Sequence, residues 1–255
     1  MSVAGQPADR GLAAGRRPEA GQEPQTGQGP EAGQGPEGGR VSAAATGKGP
    51  AAGIGIRAAA TADAVSIAAI YAPVVASSAI SFEEAPPGPD EISRRMLGSP
   101  RLPWLVADDA GHVAGYAYAS AHRQRPAYRW SADCSVYLDP GYRGRGIGRL
   151  LYEHLIGEVR DLGYVSLFAG IALPNAASAG LHEAVGFRPV GVFRAVGYKF
   201  GAWRDVGWWQ LRLRDLPADP GEPRPWAPAP APGREAGRPW AGGPGRGEAG
   251  GRGQS

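Results

Sequence analysis

The sequence predicts an α/β domain in which one mixed sheet of about seven strands is flanked by helices. Two observations predict this class. Short apolar segments rich in β-branched and aromatic residues alternate with longer segments whose apolar residues recur at helical spacing. These segments all fall between residues 54 and 216, whereas both ends of the chain are dominated by small, charged and amide residues together with proline. The central region therefore has the usual length of a single domain.

The first half of this region predicts a strand, two helices and a hairpin. The predicted elements are a strand at 54–58, a helix that begins at 61–63, a helix at 86–97 and hairpin strands at 104–107 and 112–120. The helix start rests on Thr61 and Asp63, residue types that favour the first turn of a helix. The hairpin rests on the turn sequence Asp108-Asp109-Ala110-Gly111, which separates two apolar runs.

The second half predicts four strands and two helices. The predicted elements are a strand at 133–138, a helix at 147–162, a strand at 165–171, a helix at 175–184 and strands at 187–194 and 206–213. Ile147, Leu151 and Leu155 recur at helical spacing. Gly186 stands where the second of these helices is expected to end.

Residues 1–53 and 217–255 are predicted to be disordered tails. They hold too few large apolar side chains to offset the entropy that ordering would cost. The N-terminal tail lacks the apolar core of a signal peptide, and no run of about 18 apolar residues is present. We therefore expect a cytoplasmic protein that does not span a membrane.

Charge and cysteine content argue against several kinds of partner and site. The net charge is +3, and acidic and basic residues are interspersed, so a nucleic-acid partner is not expected. Cys134 is the only cysteine, which excludes an internal disulfide and a cysteine-based zinc site. His112, His122 and His154 lack the spacing of metal ligands, so no metal is expected. Three tryptophans near the last strand, Trp203, Trp208 and Trp209, suit either the core or the interface of a homodimer.

A glycine-rich loop follows the strand at 133–138. It reads Arg143-Gly144-Arg145-Gly146-Ile147-Gly148 and runs directly into a predicted helix. Glycines allow a close approach of the backbone to a ligand, and free N–H groups at a helix N-terminus favour an anion. The loop therefore predicts a pyrophosphate site, although an Arg/Gly-rich surface turn is the simpler alternative.

The arrangement Arg-x-x-Gly-x-Gly in this loop resembles the acyl-CoA loop of the GNAT superfamily of N-acetyltransferases. Further blocks resemble its phosphinothricin N-acetyltransferase branch and occur in the same order over about 54–216. They are Pro103-Trp104-Leu105-Val106-Ala107, Gly115-Tyr116-Ala117-Tyr118-Ala119, Ala127-Tyr128-Arg129-Trp130, Ser135-Val136-Tyr137, Leu173-Pro174-Asn175, His182-Glu183-Ala184-Val185-Gly186-Phe187 and Gly201-Ala202-Trp203-Arg204-Asp205-Val206-Gly207. The resemblance implies the GNAT fold, with a mostly antiparallel sheet, and acetyl-CoA as co-substrate.

The resemblance also implies the groups that carry the chemistry. Acetyl would pass directly to the amine of a small amino acid analogue, such as phosphinothricin or methionine sulfoximine or sulfone. Asp133 stands where this branch has a catalytic acid, usually Glu, and is the expected base for the acceptor ammonium. His182 is expected to act as a general acid or to shape the thiolate site.

The same comparison suggests the binding residues. Val136, Tyr137 and Leu138 would lie along the pantetheine arm, and the backbone of Val136 and Leu138 would pair with it as an added strand would. Asn175 would hydrogen-bond that arm or cap its own helix. The expected acceptor-site residues are Phe82, Arg125, Tyr128 and Tyr152. The family's Phe-Arg-Thr-Glu-Pro stretch appears here as Phe82-Glu83-Glu84-Ala85-Pro86, so its Arg is absent, and we expect Glu83 and Glu84 to make this side of the acceptor site more acidic.

Two alternatives remain at this stage. The acceptor would be a polyamine, an antibiotic or a protein N-terminus if only the fold is shared with this branch. A non-catalytic CoA-binding regulatory module is the alternative from another class. The presence of both Asp133 and His182 argues against the regulatory module, because cofactor binding alone requires neither.

Overall fold

The computed structural model describes residues 53–228. Seven strands form one sheet in the order β1-β2-β3-β4-β5-β7-β6. The strands are β1 (Gly55–Ala58), β2 (Trp104–Asp109), β3 (His112–Ala121), β4 (Ser131–Leu138), β5 (Ser166–Ala172), β6 (Arg188–Lys199) and β7 (Ala202–Arg212). The helices are α1 (Ala64–Ser77), α2 (Pro89–Met96), α3 (Ile147–Asp161) and α4 (Ala176–Ala184). The predicted mixed α/β sheet is confirmed.

One strand pair differs from the others. Every neighbouring pair is antiparallel except β4 and β5, which run parallel. These two strands pair over only three residues, from Ser131 opposite Ser166 to Asp133 opposite Phe168. Beyond Asp133 they separate, so the rest of β4 has no strand partner on its β5 side. The sheet therefore opens at its centre.

Helices cover both faces of the sheet. On one face, α3 buries Leu151, Leu155 and Val159 against the strands and against Phe187. On the other face, α1 and α2 bury Ile67, Val75 and Ile92 against Val106 and Tyr116. Alternation along β4 sends Cys134 toward the α3 side and Tyr137 toward the α1 side.

The last two strands are longer than the sequence predicted. A tight turn at Phe200-Gly201 joins β6 and β7, and both turn residues have positive φ, as a type I′ hairpin turn requires. A bulge interrupts β6 at Ala195, where φ is +47°. The Asp205 carboxylate stabilises this bulge by accepting the Ala195 N–H at 2.8 Å and pairing with Arg194 at 2.7 Å. The predicted gap between 194 and 206 is therefore wrong.

The start of the expected C-terminal tail is also corrected. Residues 217–228 lie along the domain, and the Trp226 side chain is only 5% exposed. Its indole N–H donates to Glu158 at 2.9 Å, and its backbone N–H donates to the Arg101 carbonyl at 2.9 Å. Further hydrogen bonds hold the segment, from the Trp130 indole to the Gly221 carbonyl and from the Arg224 N–H to the Leu162 carbonyl, so a segment whose composition predicts disorder docks on the domain. The expected tail segments 1–52 and 229–255 lie outside the described residues.

Among residues 53–228, no helix has the length and apolar character needed to cross a membrane.

Candidate active site

The gap between β4 and β5 forms the centre of the site. It begins where pairing stops at Asp133 and Phe168. The surrounding small cavity, of about 50 Å³, is lined by Cys134, Ser135, Val136, Tyr137, Tyr152, Asn175, Ser178, His182 and part of β5. An extended chain with amide groups can pair with the open edge of β4 as an added strand. Val136 and Tyr137 line the gap, and Leu138 follows them on the same open edge.

The glycine-rich loop lies at the end of β4, next to this gap. Gly144 and Gly146 have φ of +72° and +82°, a left-handed conformation that favours glycine. A Cβ at either position would have no neighbouring atom within 4 Å, so the loop faces open space. Asp139 holds the preceding turn because its carboxylate accepts the Gly141 N–H at 2.8 Å.

The charges and dipoles of this loop suit an anion. Gly146 precedes the first residue of α3, so the first N–H groups of a 15-residue helix point outward here. Arg143 is exposed beside them, and the Arg145 guanidinium lies over the Tyr142 ring. Ile147 and Gly148 are buried, and Gly148 allows α3 to approach Leu181 of α4 closely. The loop therefore has the features of an anion site, and its binding of a pyrophosphate stays a prediction.

Asn175 lies on the far side of the gap. Its side-chain oxygen accepts the Ser178 N–H at 3.1 Å and so caps α4. Of the two roles expected for Asn175, the cap is present in the structure. The residue also lines the gap, so a ligand contact stays a prediction.

Tyr152 and His182 form a buried pair on the α3 side of the sheet. The His182 Nδ1 atom lies 2.7 Å from the Ser178 carbonyl, which can only accept, so Nδ1 carries the hydrogen. Nε2 therefore accepts from the Tyr152 hydroxyl at 2.8 Å. Burial lowers the pKa of His182 and raises that of Tyr152, so both groups are neutral near pH 7. The structure places Tyr152 here, beside His182 and the Cys134 thiol, whereas Tyr128 lies near His122.

Asp133 is paired with a residue that the sequence did not single out. Its Oδ1 atom lies 2.6 Å from Nδ1 of His122, just beyond the end of β3. The His122 ring stacks on Phe168, with 4.4 Å between ring centroids. Burial raises the pKa of Asp133, and the hydrogen bond from His122 opposes that rise. The antiparallel register of β3 and β4 places Ser120 opposite Asp133 and so brings His122 close to it.

A second cavity, of about 200 Å³, opens beside His122. It is lined by His122, Arg123, Phe168, Val190, Gly191, Phe193 and Trp208. The Tyr128 ring approaches His122 edge-on at 5.8 Å between centroids. Arg125 is exposed at the start of the same short turn. Tyr128 thus lies on the Asp133 side of the gap, and a contact of Arg125 with the acceptor stays a prediction.

Glu83, which follows Phe82, is an ionised carboxylate whose charge is offset by Arg95, so it adds less negative charge here than the sequence suggests. Arg95 binds the Glu83 carboxylate through two hydrogen bonds of 2.8 and 3.0 Å and lowers its pKa. The Tyr71 hydroxyl also donates to it at 2.9 Å. The buried Lys199 ammonium donates to the carbonyls of Val75, Ser81 and Glu83, each at 2.7 Å. Phe82 itself packs against the backbone of Gly197 in β6.

Comparisons with known proteins agree with this geometry. Residues 56–208 match the family model described as an acetyltransferase (GNAT) domain. The phosphinothricin N-acetyltransferase of Streptomyces viridochromogenes is 41% identical over 171 residues, 67% of this chain and 93% of that protein. The L-methionine sulfoximine/L-methionine sulfone acetyltransferase of Salmonella typhimurium is 40% identical over 121 residues, 48% of this chain and 69% of that one.

A solved structure gives the same result at the level of the fold. It is a GNAT superfamily phosphinothricin acetyltransferase from Sinorhizobium meliloti in complex with acetyl-CoA. The TM-score is 0.63 and the identity 38%, over 67% of this chain and 94% of that one.

Proposed function

This chain belongs to the GNAT family of acetyltransferases, and from that premise we propose its acceptor. The enzyme transfers acetyl from acetyl-CoA to the α-amino group of a small amino acid analogue of the phosphinothricin or methionine sulfoximine/sulfone type. Relatives that carry those names support the acceptor class.

The observation that carries the proposal is the continuity of two features. The open edge of β4 suits the amide-bearing pantetheine arm, and it ends at the loop that suits the pyrophosphate. This direction places the thioester toward Asp133, at the inner end of the gap. The acceptor would then approach from the side bordered by Tyr128 and Arg125, where a guanidinium suits a carboxylate or phosphinate.

The proposed chemistry uses the two faces of β4. On the Asp133 side, a base takes a proton from the acceptor ammonium, so that a free amine attacks the thioester carbonyl. On the Tyr152 side, the departing thiolate needs a proton. His182 is neutral and its Nδ1–H is held by Ser178. We therefore assign proton donation to the Tyr152 hydroxyl and its positioning to His182.

A panel of acceptors tests this proposal. The panel contains phosphinothricin, methionine sulfoximine, methionine sulfone, spermidine, an aminoglycoside and a peptide with a free N-terminus. Release of free CoA thiol gives the rate, and mass spectrometry identifies the acetylated product. A kcat/KM at least a hundred-fold higher for the first three supports the acceptor class. A preference for any other amine contradicts it, and absence of turnover with all would favour the CoA-binding regulatory module.

We also propose a homodimer formed through β6. This strand ends the sheet, and the β6–β7 hairpin exposes a row of large apolar side chains: Val190, Val192, Phe193, Val196, Tyr198, Phe200 and Trp203. An unpaired apolar edge is a site for association. A second copy would present the same edge in antiparallel orientation about a two-fold axis. Sedimentation should give a dimer for the wild type and a monomer for Trp203→Glu, and a monomeric wild type would contradict this.

The setting that we propose is cytoplasmic, with a small-molecule amine as partner and neither nucleic acid nor membrane. Acetylation removes the positive charge of an α-amino group, which is one of the features by which an analogue imitates an amino acid. Detoxification of such an analogue is therefore the proposed role. Expression in a sensitive bacterium should raise the tolerated concentration of the preferred acceptor, and unchanged tolerance would contradict it.

A further inference from the structure

His122 occupies the inner end of the gap. The last pair of the β4–β5 ladder joins Asp133 to Phe168, and His122 contacts both residues. It binds the first through a 2.6 Å hydrogen bond and stacks on the second. Its side chain is 11% exposed and borders the 200 Å³ cavity on the acceptor side. The imidazole therefore lies between the Asp133 carboxylate and the space from which the acceptor would approach.

The contact with Asp133 fixes the state of the ring. A carboxylate only accepts hydrogen bonds, so Nδ1 of His122 carries the hydrogen and donates it. In the neutral imidazole the lone pair is then on Nε2. Within the described part of the chain, Nε2 has no hydrogen-bonding partner of its own. A carboxylate that holds a histidine in this tautomer is a recurrent arrangement for a general base.

We propose that Nε2 of His122 accepts the proton of the acceptor ammonium, and that Asp133 positions His122 rather than acting on the acceptor itself. This inference rests on the proposed function. It reassigns the base that the family resemblance implies, where Glu is usual. Asp133 is one methylene shorter than Glu, and the imidazole extends its reach toward the cavity.

The surroundings of the ring suit a proton that comes and goes. Asp133 from β4 stabilises the imidazolium, whereas Arg123, next in the chain, opposes it. Tyr128 from the neighbouring turn presents a ring edge, and Phe168 and Trp208 from β5 and β7 are uncharged. The Arg123 guanidinium lies over the Trp208 ring, at 5.4 Å from its centroid. One anionic side chain, Asp133, and one cationic side chain, Arg123, therefore lie beside His122.

The proton balance closes without a further reagent. The acceptor ammonium loses one proton to Nε2, and the resulting amine forms the C–N bond at the thioester carbonyl. The C–S bond breaks, and the sulfur takes a proton from the Tyr152 hydroxyl. The nitrogen then carries one surplus proton, which passes to solvent and so back to the Tyr152 oxygen. The imidazolium releases its proton to solvent, for a net yield of amide, CoA thiol and one proton.

Two substitutions separate the dyad from a carboxylate acting alone. His122→Asn keeps an N–H donor near Asp133 but has no atom that accepts a proton at Nε2. His122→Gln places an amide near the Nε2 position and provides a second variant whose folding does not depend on that of the first. His154→Asn, at an exposed histidine on α3, is the matched control. Thermal denaturation and calorimetric binding of acetyl-CoA establish that each variant is folded.

The expected result is a loss in kcat at pH 7 of about 10²–10⁴-fold in either His122 variant, the usual contribution of a general base. Acetyl-CoA affinity should stay within about three-fold, and His154→Asn should match the wild type. The loss should shrink as pH rises toward the pKa of the acceptor amine, because solvent then supplies the free base. The acid limb of the kcat/KM profile against pH should therefore differ between the wild type and His122→Asn.

A second measurement does not depend on turnover. Nitrogen-detected NMR of the protein without ligands should show His122 with a hydrogen-bonded Nδ1 proton and a bare Nε2, and Asp133→Ala, which removes the acceptor, should abolish that preference. The proposal is overturned if the opposite tautomer is found. It is equally overturned if folded His122 variants keep kcat within three-fold, or if the loss is the same at every pH and lies in acceptor KM. Failure of the wild type to acetylate any amine would instead overturn the proposed function, while the tautomer measurement would still report on the dyad.

Discussion

Gly146→Val tests the loop at the start of α3. The φ of +82° at Gly146 lies in the left-handed region, which an L-residue occupies at a cost of about 1–2 kcal/mol. A branched side chain would also project into the open space in front of the loop, because a Cβ there has no protein neighbour within 4 Å. The substitution should therefore reduce stability modestly and obstruct the ligand strongly.

The expected loss of affinity follows from the contacts removed. A hydrogen bond to a charged group contributes about 1.5–3 kcal/mol. Loss of one such contact between a loop N–H and a pyrophosphate oxygen corresponds to about a ten- to hundred-fold rise in Kd, at 1.4 kcal/mol for each factor of ten. The KM for the acceptor amine should change by less than three-fold, because the loop does not border the acceptor cavity.

Gly163→Val is a matched control at the opposite end of the same helix. Gly163 also has positive φ, +102°, and a Cβ there would make only an ordinary contact with Pro223 at 3.5 Å. Both variants should lose similar stability in thermal denaturation, but only Gly146→Val should weaken acetyl-CoA in calorimetry. Equal acetyl-CoA affinities in the two folded variants would refute the assignment of the loop.

Three further predictions concern the docked segment, the buried ammonium and the proposed dyad. Truncation after 228 should leave stability and turnover unchanged, whereas truncation after 216 removes Trp226 and should cost about 3–5 kcal/mol, the usual value for a buried tryptophan; equal denaturation midpoints would contradict this. Lys199→Met leaves three carbonyls without their donor and should cost about 3 kcal/mol or more in urea unfolding, so a loss below 1 kcal/mol would show that they find other partners. Asp133→Glu moves the carboxylate about 1.5 Å into the space of His122 and should lower kcat. The double variant with His122→Ala should be more active than either single variant, because Glu then reaches the acceptor itself. Additive losses in the double variant would contradict this coupling.

Much of the fold follows from local sequence. Apolar periodicity at Ile147, Leu151 and Leu155 predicts α3, and the turn sequence before His112 predicts the hairpin, because both signals are confined to a few neighbouring residues. The boundaries of β6 and β7 do not follow in this way. Their bulge is held by Asp205, ten residues from Ala195 along the chain, and no short-range pattern encodes that bond.

The candidate site divides along the same line. Glycines with positive φ and a strand that runs into a helix are local features, so the sequence predicts the loop. The charge of the Glu83 carboxylate is offset by Arg95, which belongs to another element, so no local pattern predicts it. Residues 217–228 resemble the rest of the tail in composition, so composition does not reveal that Trp226 docks on the domain. No sequence motif contains His122, and its proposed role appears only when the antiparallel register of β3 and β4 brings it beside Asp133.

The alternation of side chains along β4 explains why His122 and His182 lie on opposite faces of the sheet and why their hydrogen bonding differs. Asp133 and Cys134 project to opposite faces of the sheet, so His122 lies beside the 200 Å³ cavity on one face and the Tyr152–His182 pair lies on the α3 side. His122 keeps a lone pair toward a cavity, whereas His182 has both nitrogens engaged, by Ser178 and Tyr152. A reaction that removes a proton from an ammonium and returns one to a thiolate needs these two functions close together without a direct exchange between them. The opening of the sheet beyond Asp133 suits the proposed arrangement, because a thioester bound in the gap would be accessible from both faces of β4.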